Sequence, residues 1–207
     1  MSKTKELFEH DAIMFNELKT LIAGCDEAGR GPLAGPVVCA CCIMPLDENA
    51  FIDKINDSKK LSEKLREDLY EKIISTALAY SIIVIDNNEI DQINILSATI
   101  KGAVQSIEQV SSKYKDTTFL VDALKLDILN TATIPIIKGD AKSYNIAAAS
   151  ILAKVMRDRI MVLYDAEYPK YGFKQHKGYG TKQHIEAIKQ YGAIKIHRRS
   201  FLKNYGY

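Results

Sequence analysis

An α/β fold around a central sheet is what this sequence predicts, and three observations predict it. Short apolar runs rich in Val, Ile and Cys alternate with segments of helical period, turn residues separate them, and no internal repeat or low-complexity linker interrupts the series. With 207 residues, 47% hydrophobic and 26% charged, the chain can bury a sizeable core as one domain and is neither collagen-like nor intrinsically disordered. The absence of any uncharged apolar run of about 18 residues excludes a membrane-spanning helix.

The elements follow in order. Residues 1–20 mix Lys, Glu, Asp and His with Phe8, Ile13, Met14, Phe15 and Leu18. They lack the apolar block of a secretory signal and read as a lead-in, amphipathic and helical or frayed, before a domain expected to span 21–207. Leu21 to Cys25 and Val37 to Met44 are predicted strands joined by the Gly/Pro-rich stretch 28–36. Ser62 is placed to cap a helix with Glu63 in its first turn, and Leu65, Leu69, Ile73 and Ile74 then recur at helical spacing toward Tyr80. Ser81 to Ile85 is predicted as the next buried strand. A helix is expected over 95–114, with Ile100, Val104, Ile107 and Val110 on one side. Phe119 to Val121 and Ile134 to Ile137 are further strands. Ser143 is placed to cap a long, Ala-rich helix through Ile146 to about Tyr164, after which come a turn-rich stretch over 169–180, a short helix near 184–191 and a basic tail.

The four cysteines are Cys25, Cys39, Cys41 and Cys42, three of them within four positions of an apolar run. Neither a zinc site nor a disulfide framework fits, and buried reduced thiols of a cytoplasmic protein are expected.

The acidic residues at strand ends carry the chemistry. Asp26 and Glu27 follow Leu21 to Cys25, Asp122 follows Phe119 to Val121, and Asp140 follows Ile136 to Gly139. A single Asp in such a place is commonly a turn former or helix cap. If the strands are adjacent, however, the carboxylates converge, and at about 4 Å each pair would repel by roughly 4 kcal/mol at an effective dielectric of 20. Such a cluster needs cations or shared protons, and oxygen-only ligands favour Mg²⁺ or Mn²⁺ over zinc. Acidic clusters holding two such ions serve phosphodiester hydrolysis. Successive strand residues point to opposite faces, so Asp26 and Glu27 can serve one site only if the strand ends or bends between them, as Gly29 and Gly31 would allow.

The loop from Gly29 to Pro36 adds to this. Two glycines around Arg30 let backbone N–H groups approach a ligand while the guanidinium pairs with a phosphate. The P-loop pattern G-x-x-x-x-G-K-[ST] is absent, and a tight strand connection would account for the glycines equally well.

With these residues in hand, the chain resembles the ribonuclease HII family, the bacterial type 2 ribonucleases H. Seven stretches carry the resemblance, in family order from about residue 21 to 201. They are 24–36 (GCDEAGRGPLAGP), 57–62 (DSKKLS), 90–96, 138–140 (KGD), 147–158, 176–179 (HKGY) and 197–201 (HRRSF).

The resemblance implies a ribonuclease H-like fold, a mixed five-stranded sheet flanked by helices, with a helical C-terminal part. It implies an endonuclease that cuts the RNA strand of RNA/DNA hybrids and cuts 5′ to single ribonucleotides embedded in duplex DNA, with two Mn²⁺ or Mg²⁺ ions when substrate is bound. It leaves 5′-phosphate and 3′-hydroxyl ends, and it would serve to remove misincorporated ribonucleotides and RNA primers. The metal carboxylates carry over onto Asp26, Glu27, Asp122 and Asp140. Gly29, Arg30 and Gly31 carry over as contacts to the ribose 2′-hydroxyl and its phosphate, and Tyr179 as the ring against the following sugar. Ala123 departs from the glycine many members have after the aspartate. Lys59 and Lys60 are candidate phosphate contacts beside the ordinary reading of a solvated pair. Asp158 reads as a helix-surface or structural partner on the long helix rather than a fifth ligand, and His197, Arg198 and Arg199 as contacts either to the backbone or to the acidic side of the sheet. A monomer is expected, and residues 201–207 are not a glutamine-led sliding-clamp motif.

Two other readings stand beside this one. Ribonuclease HIII shares the acidic logic but normally carries an N-terminal substrate-binding domain that residues 1–20 cannot supply. A nucleic-acid-binding module without catalysis has no use for four clustered carboxylates. The net charge of +2 hides a segregation: residues 1–150 hold 16 Lys and Arg against 22 Asp and Glu, whereas 151–207 hold 12 against 4. The basic C-terminal part is the better candidate to attract a phosphate backbone.

Overall fold

A computed structural model describes residues 1–206; Tyr207, the last residue of the C-terminal segment discussed above, lies outside them. The strands are β1 (Leu21–Ala28), β2 (Val37–Ile43), β3 (Ala79–Ile85), β4 (Thr117–Asp122) and β5 (Ala132–Ile136). They form one mixed sheet in the order β3-β2-β1-β4-β5. β2 runs antiparallel to both β1 and β3, whereas β1, β4 and β5 are parallel. Because β1 and β4 are parallel neighbours with Cys25 opposite Val121, their carboxyl ends deliver Asp26 and Asp122 to the same end of the sheet.

Helices cover both faces, which suits strands this apolar. The helices are α1 (Lys3–Leu18), α2 (Glu63–Thr76), α3 (Asn87–Ile93), α4 (Ile95–Ser111), α5 (Tyr144–Glu167), α6 (Phe173–His176) and α7 (Lys182–Tyr191). On one face Ala103, Ile107 and Val110 of α4 pack with Cys25, Cys41, Phe119 and Val121. On the other, Ala147, Ala148 and Ile151 of α5 pack with Val38, Ala40 and Cys42. Ser62 and Ser143 cap α2 and α5 as expected, accepting from the N–H groups of Leu65 and Ile146. All four cysteines are buried and free.

Several expectations need correction. β3 is an edge strand rather than a buried one, with Tyr80 and Val84 about half exposed. Ile100 faces outward. Ile107 and Val110 are buried as expected, and the buried side of α4 continues through Ala98, Gly102 and Ser106, where a Cβ on Gly102 would lie 2.7 Å from Cys39 Sγ. α2 stops at Thr76, short of Tyr80, and two short helices, α3 and α6, were not anticipated.

Helix α1 packs into the same core through Leu7 and Phe8, and its Asp11 is fully buried. One Asp11 oxygen accepts from Ser143 Oγ (2.9 Å), the Asn145 N–H (2.8 Å) and Asn145 Nδ2 (2.9 Å). An acidic side chain thus satisfies donors at the start of α5, where the helix dipole favours negative charge. Asn145 Oδ1 in turn accepts from the Met44 N–H at 2.7 Å, locking the first turn of α5 onto the end of β2.

Candidate active site

Asp26 lies within β1, Asp122 is the last residue of β4, and Asp140 sits in a 3₁₀ turn, Gly139–Ala141, just before α5. Carboxylate oxygens of these three residues all lie within 4.8 Å of one another. Main-chain donors hold two of them: Asp26 accepts from the Glu27 N–H and Asp122 from the Gly139 N–H, both at 2.7 Å. The Asp122 bond also explains how a residue after β5 is brought to the end of β4.

Glu27 stands outside this triad. β1 does not end or bend after Asp26 but continues paired with β2 to Ala28, so Glu27 opposes Cys39 and alternation directs it to the other face. It lies 3.4 Å from Arg30 as an ion pair and lines the same cleft as Asp26.

The electrostatics are those of a site built for cations. Burial pushes the Asp26 carboxyl well above the ordinary carboxylate range, and Glu27 and Asp122 add to this. Asp140 is raised by burial, then by Asp57 and Asp122. Burial likewise raises Glu27, although Arg30 opposes it. Lys59 Nζ lies 3.7 Å from Asp140, and although its partial burial works against the charge, Asp140 and Asp26 hold the ammonium above its usual value. Three hard oxygen donors with no nitrogen or sulfur among them fit Mg²⁺ or Mn²⁺.

Asp26 lines a cleft of about 430 Å³ whose walls include Glu27, Gly29, Arg30, Gly31, Lys59 and Tyr179, whereas Asp122 and Asp140 line the depression adjoining it. A Cβ built on Gly31 would reach within 3.8 Å of the Tyr179 ring, so loop and ring face each other across a narrow gap. Tyr179 is 45% exposed, leaving its face available, and its carbonyl is tied to His184 Nδ1 at 2.9 Å. His184 Nε2 meets His197 Nε2 at 3.1 Å, and burial lowers both rings to a pKa of about 4. Lys60 is mostly exposed and lies with Lys59, Asp122 and Asp140 along an adjoining depression.

The cleft's basic wall is not apparent from spacing. Arg66 and Lys154 line it, and both pair with buried Asp158, at 3.8 and 2.7 Å. Asp158 is therefore a structural partner, as read above. Arg198, placed on no side by the sequence, is fully buried behind the loop, whereas the Arg199 N–H bonds Asp91. Asp11 and Arg157 are supporting residues that pattern reading passed over. For Asp11 a signal exists, an acid in register with Leu7 and Phe8 on the apolar side of α1.

The family model described as ribonuclease HII matches residues 23–204. The chain is 54% identical over 198 residues to a ribonuclease HII of Ruminiclostridium cellulolyticum, covering 96% of this chain and 75% of that one. It is 48% identical over 204 residues to one of Caldicellulosiruptor bescii, covering 99% and 97%. Among solved structures it is similar to ribonuclease H2 from Pyrococcus horikoshii, with a TM-score of 0.71 and 29% identity over 86% of this chain and 92% of that one.

Proposed function

Given that the chain belongs to the ribonuclease HII family and is thus an endoribonuclease acting on the RNA strand of RNA/DNA hybrids, we propose that it also cuts 5′ to single ribonucleotides embedded in duplex DNA. Such cutting would remove misincorporated ribonucleotides and RNA primers. The observation that carries this reading is the carboxylate triad, whose Asp26 lines a cleft with walls that pair a glycine loop with an exposed tyrosine.

Asp26, Asp122 and Asp140 are the residues that would hold two divalent ions, with Glu27 as a further ligand from the neighbouring wall. Bound there, Mn²⁺ or Mg²⁺ supplies Lewis-acid stabilisation of the phosphoryl charge and lowers the pKa of an attacking water. The chain's own residues do the rest. Gly29, Arg30 and Gly31 bring main-chain groups and a guanidinium to the 2′-hydroxyl and its phosphate, the only chemistry besides helix shape that separates RNA from DNA. Tyr179 packs against the sugar that follows and disfavours a second hydroxyl there. Lys59 and Lys60 would hold phosphates from beside the carboxylates, Lys59 lying 3.7 Å from Asp140. In-line attack leaves a 5′-phosphate and a 3′-hydroxyl. The buried free thiols suit a reducing compartment such as the cytoplasm, and a monomer is the proposed state.

The test compares two labelled duplexes, one with a single ribonucleotide and one with a continuous RNA strand, each with and without Mn²⁺ or Mg²⁺. Metal-dependent cutting 5′ to the single ribonucleotide is expected. Cutting of the continuous strand alone would remove the junction reading, and cutting without metal would remove the carboxylates' role.

A further inference from the structure

We propose that Arg157 is a positioning residue that sets the spacing between the loop Gly29–Pro36 and the turn bearing Tyr179, and so sets the preference for a ribonucleotide followed by a deoxyribonucleotide. This rests on the ribonuclease reading above.

Arg157 lies on α5 and is 1% exposed. Its Nε donates to the Pro36 carbonyl at 3.0 Å and its Nη2 to the Ala34 carbonyl at 3.2 Å, whereas its Nη1 donates to the Lys177 carbonyl at 2.9 Å. One guanidinium therefore grips both walls of the cleft, and its carbon lies 5.8 Å from the Tyr179 ring centre. The walls themselves touch along the backbone. The Leu33 N–H bonds the Gly178 carbonyl at 2.8 Å, and a Cβ on Gly178 would stand 2.6 Å from the Ala34 carbonyl oxygen.

Arg198 makes the contrast. It is also fully buried, but its three bonds go to the carbonyls of Gly29 (2.6 Å), Arg30 (2.9 Å) and Gly35 (2.9 Å), all on the loop. In a trans peptide the C=O and the following N–H point opposite ways, so pulling the Gly29 and Arg30 carbonyls inward turns the Arg30 and Gly31 N–H groups toward the cleft. Arg198 thus shapes one wall, whereas Arg157 fixes the distance between two. Only a guanidinium can do this, because its planar fork offers donors in fixed directions that an ammonium on a flexible stem does not reproduce. A buried cation whose bonds run to neutral carbonyls is expensive to keep, and supporting a loop alone would not require the bond to the turn.

The experiment measures kcat and KM of the full chain, wild type, Arg157→Lys, Arg157→Gln and Arg198→Lys, on the two duplexes above with Mn²⁺, alongside circular dichroism. In the Arg157 variants kcat/KM on the single-ribonucleotide duplex is expected to fall about a hundredfold, the size of effect a 1 Å misplacement produces. On the continuous hybrid, which does not need the Tyr179 contact, it falls about tenfold, so the ratio between substrates drops about tenfold. Arg198→Lys lowers both rates by one common factor. The inference is overturned if the Arg157 variants lower both rates equally, if they change neither, or if both fail to fold, since the guanidinium would then serve the fold and not substrate choice. A wild-type chain that cuts neither duplex would instead overturn the ribonuclease reading.

Discussion

Gly24 and Asn145 meet backbone to backbone, and a Cβ on Gly24 would stand 2.1 Å from the carbonyl carbon of Asn145. This contact seats the first turn of α5 against β1 two residues before Asp26. The same stretch of chain leads into α5 from Asp140, so the close approach sets how near the two carboxylates can come. Gly24→Ala has no flexible neighbour to move aside. It is expected to destabilise the fold by about 3 kcal/mol, the upper range for overpacking, seen as a lower urea midpoint at unchanged slope. A midpoint equal to that of the wild type would show that α5 can shift without penalty.

Relief of repulsion should be visible at the triad. Because burial and its neighbours raise the Asp26 carboxyl, the metal-free folded chain binds a proton there more readily than the unfolded chain. That contribution is full below the unfolded value near 3.8 and is lost as pH rises through the raised folded value. Asp26→Asn in EDTA is therefore more stable than the wild type at neutral pH, and the gap closes on acidification. The same variant should lose cutting and lose the rise in Tm that Mn²⁺ gives the wild type, which at a hundred times Kd corresponds to about 2.7 kcal/mol. Retained turnover in Asp26→Asn would remove this carboxylate from the site.

The paired rings of His184 and His197 give an acid limb of opposite sign. Their folded pKa of about 4 lies below the ordinary 6.5, so between these values the unfolded chain takes up protons that the folded chain refuses. Stability from this pair is complete above about pH 6.5 and falls toward pH 4. His197→Gln should flatten the dependence of Tm on pH across that window, read with EDTA present. An unchanged slope would exclude the pair as its source.

Gly31 separates fold from function. It has an ordinary φ, and a Cβ there meets only the Tyr179 ring at 3.8 Å, an ordinary contact. Gly31→Ala should keep its thermal stability within about 0.5 kcal/mol yet fall by at least tenfold in kcat/KM on the single-ribonucleotide duplex, because the methyl occupies the gap the sugar must enter. Full activity would mean that the substrate does not approach Gly31.

What could be read in the sequence were features set by local chemistry. The strands show as apolar runs, and Ser62 and Ser143 show as caps, because neighbours along the chain decide both. The gathering of Asp26, Asp122 and Asp140 followed from strand ends plus adjacency. Packing at close approach was not legible. Ile100 has the spacing of a core residue yet faces outward, and the close approach of α4 to Cys39 at Gly102 leaves no trace in the hydrophobic period. Glu27 shows the limit of motif reading, since adjacency in sequence hides its direction on an unbroken strand. Arg157 and Arg198 were hidden for another reason. Arginine is ordinarily a surface residue, and only the tertiary structure reveals carbonyls left turned inward for it.

The bond from Arg198 to Gly29 spans 169 positions of the chain. A polypeptide growing from its N-terminus therefore carries Asp26, Asp122 and Asp140, and can bring them together, well before residue 198 exists to shape the loop beside them. Order along the chain thus separates the three carboxylates from the residue that shapes the loop beside them, and the first wall of the cleft takes its bonds from the last elements to be made.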